Sequence, residues 1–207
     1  MAIVNGYATL AELKARMAIA TATSTHDGVL EAVIEAASRR IDNDTNRRFY
    51  STASETRFYT PDDSLTLFLP DDVLSLTLVR TLTASSGGQR TYGDVWNATD
   101  WDLEPYDGPP YSRLVVNPTG LYAFPRVRRA AELTGTFGYC TTGSHPSPIR
   151  EACLLLAARA FERSKAPLGV ISGGELSQSI SITKSDPDVN ALLAPYRKFD
   201  AVTHSWW

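Results

Sequence analysis

SPIREACLLLAARAFERSKAPLGV, residues 147–170, is the stretch on which the fold turns. Ser147 suits a helix N-cap, Pro148 the first helical position, and Glu151 the positive end of the helix dipole. Ile149, Cys153, Leu156, Ala157, Ala160 and Phe161 recur on one face, and Leu154, Leu155 and Ala158 carry the apolar surface nearly around the helix. A helix apolar on most sides is buried on most sides, so this is the expected central core helix. Nothing in it has the look of a catalytic arrangement.

Downstream, residues 166–185 read as a Gly/Ser/Thr-rich loop with an extended hairpin expected around residues 179–182. Asp186-Pro187 repeats the pattern of cap then first-turn proline. Val189, Leu192, Leu193 and Tyr196 mark a further helix, which Pro195 keeps short. Phe199, Trp206 and Trp207 then surround AVTHS with no helix to carry them. Two readings stand: the aromatics fold back on the chain's own core, or they dock on a partner, where exposed aromatics are typical anchors.

Upstream, Thr9 and Glu12 form a capping-box signature ahead of a short helix marked by Leu10, Leu13 and Met17. TATSTHDG, residues 21–28, is a polar linker. Leu30, Val33, Ile34, Ala37 and Ile41 then make one apolar stripe, with Glu31, Glu35, Arg39 and Asp42 opposite and Glu35–Arg39 a favourable i,i+4 pair. From about residue 55 to 139 the texture becomes β. Runs at 56–59, 65–69, 73–82, 101–103, 113–116 and 131–137 are rich in β-branched and aromatic residues, and Pro-Asp-Asp turns separate the early ones. SSGGQR, residues 85–90, reads as a hairpin tip or exposed loop. Prolines at 105, 109, 110, 118 and 125 suggest sheet edges.

The chain's 207 residues fit one large domain or a compact domain with an insertion. A net charge of −3 argues against a whole-surface nucleic-acid binder but leaves local basic clusters open. Cys140 and Cys153 are expected to be free thiols. With no leader and no membrane-length apolar run, synthesis in the cytoplasm without export or insertion is the expectation.

Chemistry finds no footing. There is no glycine-rich phosphate loop, and Gly173-Gly174 reads as loop flexibility. His26, His145 and His204 have no ligand-like spacing. Asp42, Asp44 and Asn46 imitate the start of a calcium loop, but Arg47 replaces its glycine and Ala53 its glutamate. Asp62-Asp63 and Asp71-Asp72 read as turns. A bare SxxK at Ser181 and Lys184 lacks supporting motifs. No enzyme, cofactor or metal is expected. Three basic clusters remain: Arg39-Arg40, Arg47-Arg48, and Arg126 with Arg128-Arg129. Each is either a salt-bridged solvated face or a contact for phosphate backbone or an acidic protein surface.

Taken in order, YATLAELKAR, LEAVIEAASRRIDNDTNRRFY, ETRFYT, LFLPDDVLSLTLVR, GTFGY, PSPIREACLLLAARAFERSKAPLGV and DPDVNALLAPYR resemble the head–tail connector (adaptor) proteins of long-tailed bacteriophages, the family with a four-helix core. The ordered set carries the resemblance, since each piece alone is only a helix or strand pattern. It implies an α+β fold: a four-helix core, a β-rich insertion between the second and third helices, and an extended C-terminal tail. The expected bounds are 1–50 and 146–198 for the two parts of the helical core, 51–145 for the insertion and 199–207 for the tail.

The resemblance also implies a structural role in the virion, at the head–tail interface, after synthesis in the host cytoplasm. Copies would form a ring, usually of twelve, under the portal protein. They would extend the channel through which DNA passes without sequence-specific binding and present a platform for a downstream neck or tail protein. By the same analogy Phe199, His204, Trp206 and Trp207 would meet the portal. Arg39, Arg40, Arg47, Arg48, Arg126, Arg128 and Arg129 are the candidate channel or inter-subunit contacts. The alternatives are a DNA-binding accessory protein of packaging using those arginines, a tail-completion protein, and a small hydrolase using Ser181 and Lys184.

Overall fold

The computed structural model describes residues 3–61, 63–165 and 186–198. They fall into two compact units, one drawn from the chain up to Asn46 and from His145 onward, the other being Arg47–Ser144.

In the first unit Thr9 caps α1 (Leu10–Arg16). Its hydroxyl accepts the Glu12 amide at 3.2 Å, and the Glu12 carboxylate accepts the Thr9 amide at 2.8 Å, the reciprocal box that the sequence predicts. Burial alone would push the Glu12 carboxyl up. The Thr9 amide and hydroxyl, then Arg150, outweigh it, so its pKa lies below the ordinary value. A lowered carboxyl pKa stabilises the fold above the unfolded value and ceases to as pH falls through the folded one. Glu12→Ala should therefore cost about 1 kcal/mol at neutral pH. In urea melts across pH, the gap to the parent should close on acidification.

α2 (Asp27–Thr45) buries Leu30, Ile34, Ala37 and Ile41 as one stripe and ends where Asn46 turns left-handed at φ 53°. α3 (Ser147–Lys165) packs on it and buries Ile149, Ala152, Cys153, Ala157 and Phe161, with Cys153 against Ser38 and Phe161 edge-on to His26. Its cap lies one residue earlier than Ser147 suggests, because the Pro146 carbonyl takes the Ile149 and Arg150 amides at 3.0 and 3.2 Å. Asp186 caps α4 (Pro187–Leu193) as predicted, and Pro195 tightens the chain into a 3-10 turn, Ala194–Tyr196.

Lys14 is an unexpected member of this core. Its side chain is 4% exposed, and Nζ reaches the Thr23 carbonyl at 2.9 Å and the Asp27 carboxylate at 2.5 Å. A buried ammonium survives only when so partnered. Here the partners lie in the segment joining α1 to α2 and at the start of α2, so Lys14 pins that connection. Lys14→Met should lower stability by about 2 kcal/mol and speed amide exchange over residues 18–26 before the helices open.

The second unit is a six-stranded antiparallel sheet: β1 (Glu55–Tyr59), β2 (Thr66–Ser86), β3 (Gln89–Tyr92), β4 (Trp101–Glu104), β5 (Tyr111–Val116) and β6 (Ala131–Phe137). The order is β1-β6-β2-β5-β4, with β3 folded back on the far end of β2. Gly87 and Gly88, both at positive φ, close that hairpin between Ser86 and Gln89. Tyr59, Leu67, Leu69, Val73, Val79, Leu114, Val116, Leu133 and Phe137 form the core on one face. Trp96 covers it, stacked on Tyr122 at 4.8 Å.

Two expectations are corrected. The runs 65–69 and 73–82 are not separated by a turn: β2 continues through Pro70-Asp71-Asp72 as an irregularity. The irregularity interrupts its pairing with β5 between Phe68 and Val73, the latter opposite Tyr111, and from Val73 onward β2 also pairs with β6. Nor is the protein a four-helix core with a β insertion. Among the described residues α1 and α4 have seven residues each, while α2 and α3 have 19 each. The six-stranded sheet holds a hydrophobic core of its own. The four-helix core is what the family resemblance implies, whereas the apolar stripes themselves already mark the first and last helices as short.

Candidate functional site

The arginines expected to meet DNA or a neighbour are not one patch. Arg39 and Arg40 ride on α2. Arg39 Nε lies 3.1 Å from Asp42, the same guanidinium donates to the Asn5 carbonyl at 2.9 Å, and Tyr7 donates its hydroxyl to Asp42 as well. The i,i+4 partner expected for Arg39, Glu35, is passed over for Asp42. Arg40 pairs loosely with Asp44 at 3.6 Å.

Arg47 is a structural residue. Its Nη1 sits 2.7 Å from Asp72, whose side chain is 3% exposed, and its guanidinium lies 5.2 Å from the Tyr139 ring centroid. Arg48 is exposed, while its carbonyl accepts the Tyr139 amide at 2.8 Å. Around them the chain entering the sheet unit is sewn to the chain leaving it. Gly138 donates to the Asp72 carbonyl at 2.8 Å, Thr52 to that of Phe137 at 2.9 Å, and the Cys140 thiol to that of Phe49 at 3.3 Å. Asp71-Asp72, read from sequence as a plain turn, thus supplies the counter-charge for one basic cluster.

Arg126, Arg128 and Arg129 are all exposed and precede β6, so they lie at its other end from Arg47 and Arg48. Seven strand residues separate the two places, roughly 20 Å of extended chain. Arg129 is held at φ +57°. Its amide donates to Thr60 Oγ1 at 3.0 Å, its carbonyl accepts the Tyr92 hydroxyl at 2.9 Å, and its guanidinium stacks 4.9 Å from the Phe58 ring centroid. These bonds fix the loop and leave three cations facing outward beside β1.

Sequence reasoning missed the opposite edge. β4 carries Asp102 and Glu104, and Tyr106 and Asp107 follow at once, Tyr106 being 72% exposed. Partial desolvation, then the Glu104 and Asp102 carboxylates, push its phenol above the ordinary value. DLEPYD, residues 102–107, carried the signal as a local density of acid around one tyrosine. Phe199, His204, Trp206 and Trp207, the expected portal contacts, lie outside the described residues, as do Ser181 and Lys184.

Both thiols are free. Burial pushes Cys140 up to about 11 and raises Cys153 as well. At pH 8 the Cys140 thiolate is then about one molecule in a thousand. A disulfide reagent should label neither cysteine quickly in the folded chain and both on unfolding.

A model of the family described as Phage gp6-like head-tail connector protein matches residues 7–87, from before α1 to the β2–β3 turn. No curated protein matches the chain. Among solved structures, a chain of the "Neck of empty GTA particle computed with C6 symmetry" superposes with a TM-score of 0.59 at 18% identity, over 98% of this chain and 95% of that one. A chain of the "Virion of native gene transfer agent (GTA) particle" gives 0.59 at 20% identity, over the same shares, 98% and 95%. At such identities the likeness is one of fold. The chain thus has, over nearly its whole length, the fold of chains in gene transfer agent particles, and its first 7–87 residues match a head–tail connector family.

Proposed function

We propose that this protein is a structural subunit of the head–tail connector of a phage-like virion. The observation that carries the reading is the connector-family match across residues 7–87. The neck and virion chains that share the fold supply independent support. In this reading the protein works by assembly rather than turnover and is not an enzyme. Copies form a ring beneath the portal protein, continue its DNA channel and offer a platform to a downstream neck or tail protein. Twelve copies is the proposed number, a multiple of the six-fold symmetry in which one matching neck was computed. The segment 199–207 anchors the ring to the portal through Phe199, His204, Trp206 and Trp207. Exposed Arg40 and Arg48 are the channel candidates, since Arg39 and Arg47 are committed to Asp42 and Asp72.

Co-sedimentation with the cognate portal ring tests this, comparing the full chain with one ending at Asp200. The full chain should pellet with the portal and the shortened one should lose at least about tenfold in affinity, as expected when central aromatic anchors are removed. Equal binding by both would retain the connector and remove the anchor. Binding by neither would overturn the portal as partner.

A further inference from the structure

The two ends of the strand order carry opposite charge. Beside β1, Arg126, Arg128 and Arg129 face outward, and the Arg129 guanidinium lies over Phe58, itself 38% exposed. On and after β4, at the other end of the same sheet, stand Asp102, Glu104 and Asp107 with the exposed Tyr106. The 126–129 loop beside β1 thus sets its arginines near Phe58, and the 102–107 segment sets Asp102 and Asp107 near Tyr106, each an aromatic side chain able to anchor a contact. The Glu55 of β1 itself is paired with Arg57, and Glu104 faces Arg113 at 3.6 Å. The arginine loop is also held in shape, by the Thr60 and Tyr92 bonds to the Arg129 backbone, so its cations are presented on a fixed support. On one molecule these edges are separated by β6, β2 and β5 and cannot neutralise each other.

Two copies can do what one cannot. We infer that the arginine edge beside β1 of one copy docks on the acidic β4 edge of the next, a head-to-tail contact between copies of this chain. Such a contact pairs unlike surfaces, and repetition of it closes a ring or grows a filament. The inference rests on the ring reading above and gives it a definite interface. Opposed potentials of this kind favour the correct register and disfavour like-charged approaches. The arginines are thereby assigned to a neighbouring protein rather than to nucleic acid.

Charge exchange tests it on the full chain. One variant carries R126E and R128E, leaving Arg129 to hold the loop; the other carries D102R and D107R. Sedimentation velocity should show the parent associating, and doing so less as salt rises. Each variant alone should associate at least about tenfold more weakly, because like charges now face each other. An equimolar mixture of the two should recover association, since every junction again joins opposite signs; recovery also shows that both variants are folded. If the parent assembles and both variants assemble equally well, the inference fails while the ring survives. If the mixture is no better than either variant alone, the inference fails likewise. A parent that stays monomeric at all concentrations, even on the portal, overturns ring and interface together. Loss of DNA retention by R126E/R128E with self-association unchanged would give the arginines to nucleic acid and overturn the contact.

Discussion

Gly138→Ala is expected to destabilise the sheet unit by about 3 kcal/mol or more. Gly138 takes φ +137°, a region side chains other than hydrogen rarely enter, and a Cβ there would stand 2.0 Å from the Tyr50 carbonyl oxygen. The obstruction is backbone, which cannot swing aside as a flexible side chain would. Relief would separate the 47–52 segment from residues 137–140, and so loosen the Tyr139–Arg48 and Thr52–Phe137 hydrogen bonds together. Urea unfolding measures the loss, and an unfolding free energy within about 0.5 kcal/mol of the parent's would show that this junction is slack.

Arg47→Leu should cost about 3–5 kcal/mol. The substitution keeps an apolar stem but strips the guanidinium from Asp72, leaving a carboxylate with a nearly buried side chain short of its ion-pair partner. The Tyr139 ring loses its stacked cation in the same step. Arg47→Leu with Asp72→Asn should recover part of the loss, since removing both charges abolishes the unpaired one. Because Gly138 donates to the Asp72 carbonyl, Gly138→Ala and Arg47→Leu act on one junction, and their combined cost should fall short of the sum. A loss under about 1 kcal/mol for Arg47→Leu would mean that water reaches Asp72 and that Arg47 is free for another partner.

Local signals were legible where one residue type has one physical use. The Thr9–Glu12 box, the Asp186-Pro187 cap, the Gly87-Gly88 hairpin and the α2 stripe all stand where the sequence places them. The misreadings were of extent and pairing. Pro70-Asp71-Asp72 has the composition of a turn, yet an extended chain can carry it where the β2–β5 ladder is irregular and β6 pairing has not begun, so no regular ladder is required. The arginines were legible as cations and illegible as a site. Asp72, which fixes Arg47, is distant in sequence, and Arg126 to Arg129 gain their meaning only from standing across the sheet from Asp102 and Glu104. The Lys14 bonds were equally hidden, because a lysine on a short helix ordinarily faces water.

The connector reading joins these pieces. A sheet with oppositely charged edges suits lateral repetition, and the portal contact is left to the terminal aromatics. Electron microscopy of the purified chain mixed with its cognate portal ring tests the central claim most directly. The account predicts a closed ring of this protein coaxial with the portal and continuing its channel. Portal rings that remain bare, with the chain monomeric or spread along added DNA, would contradict it.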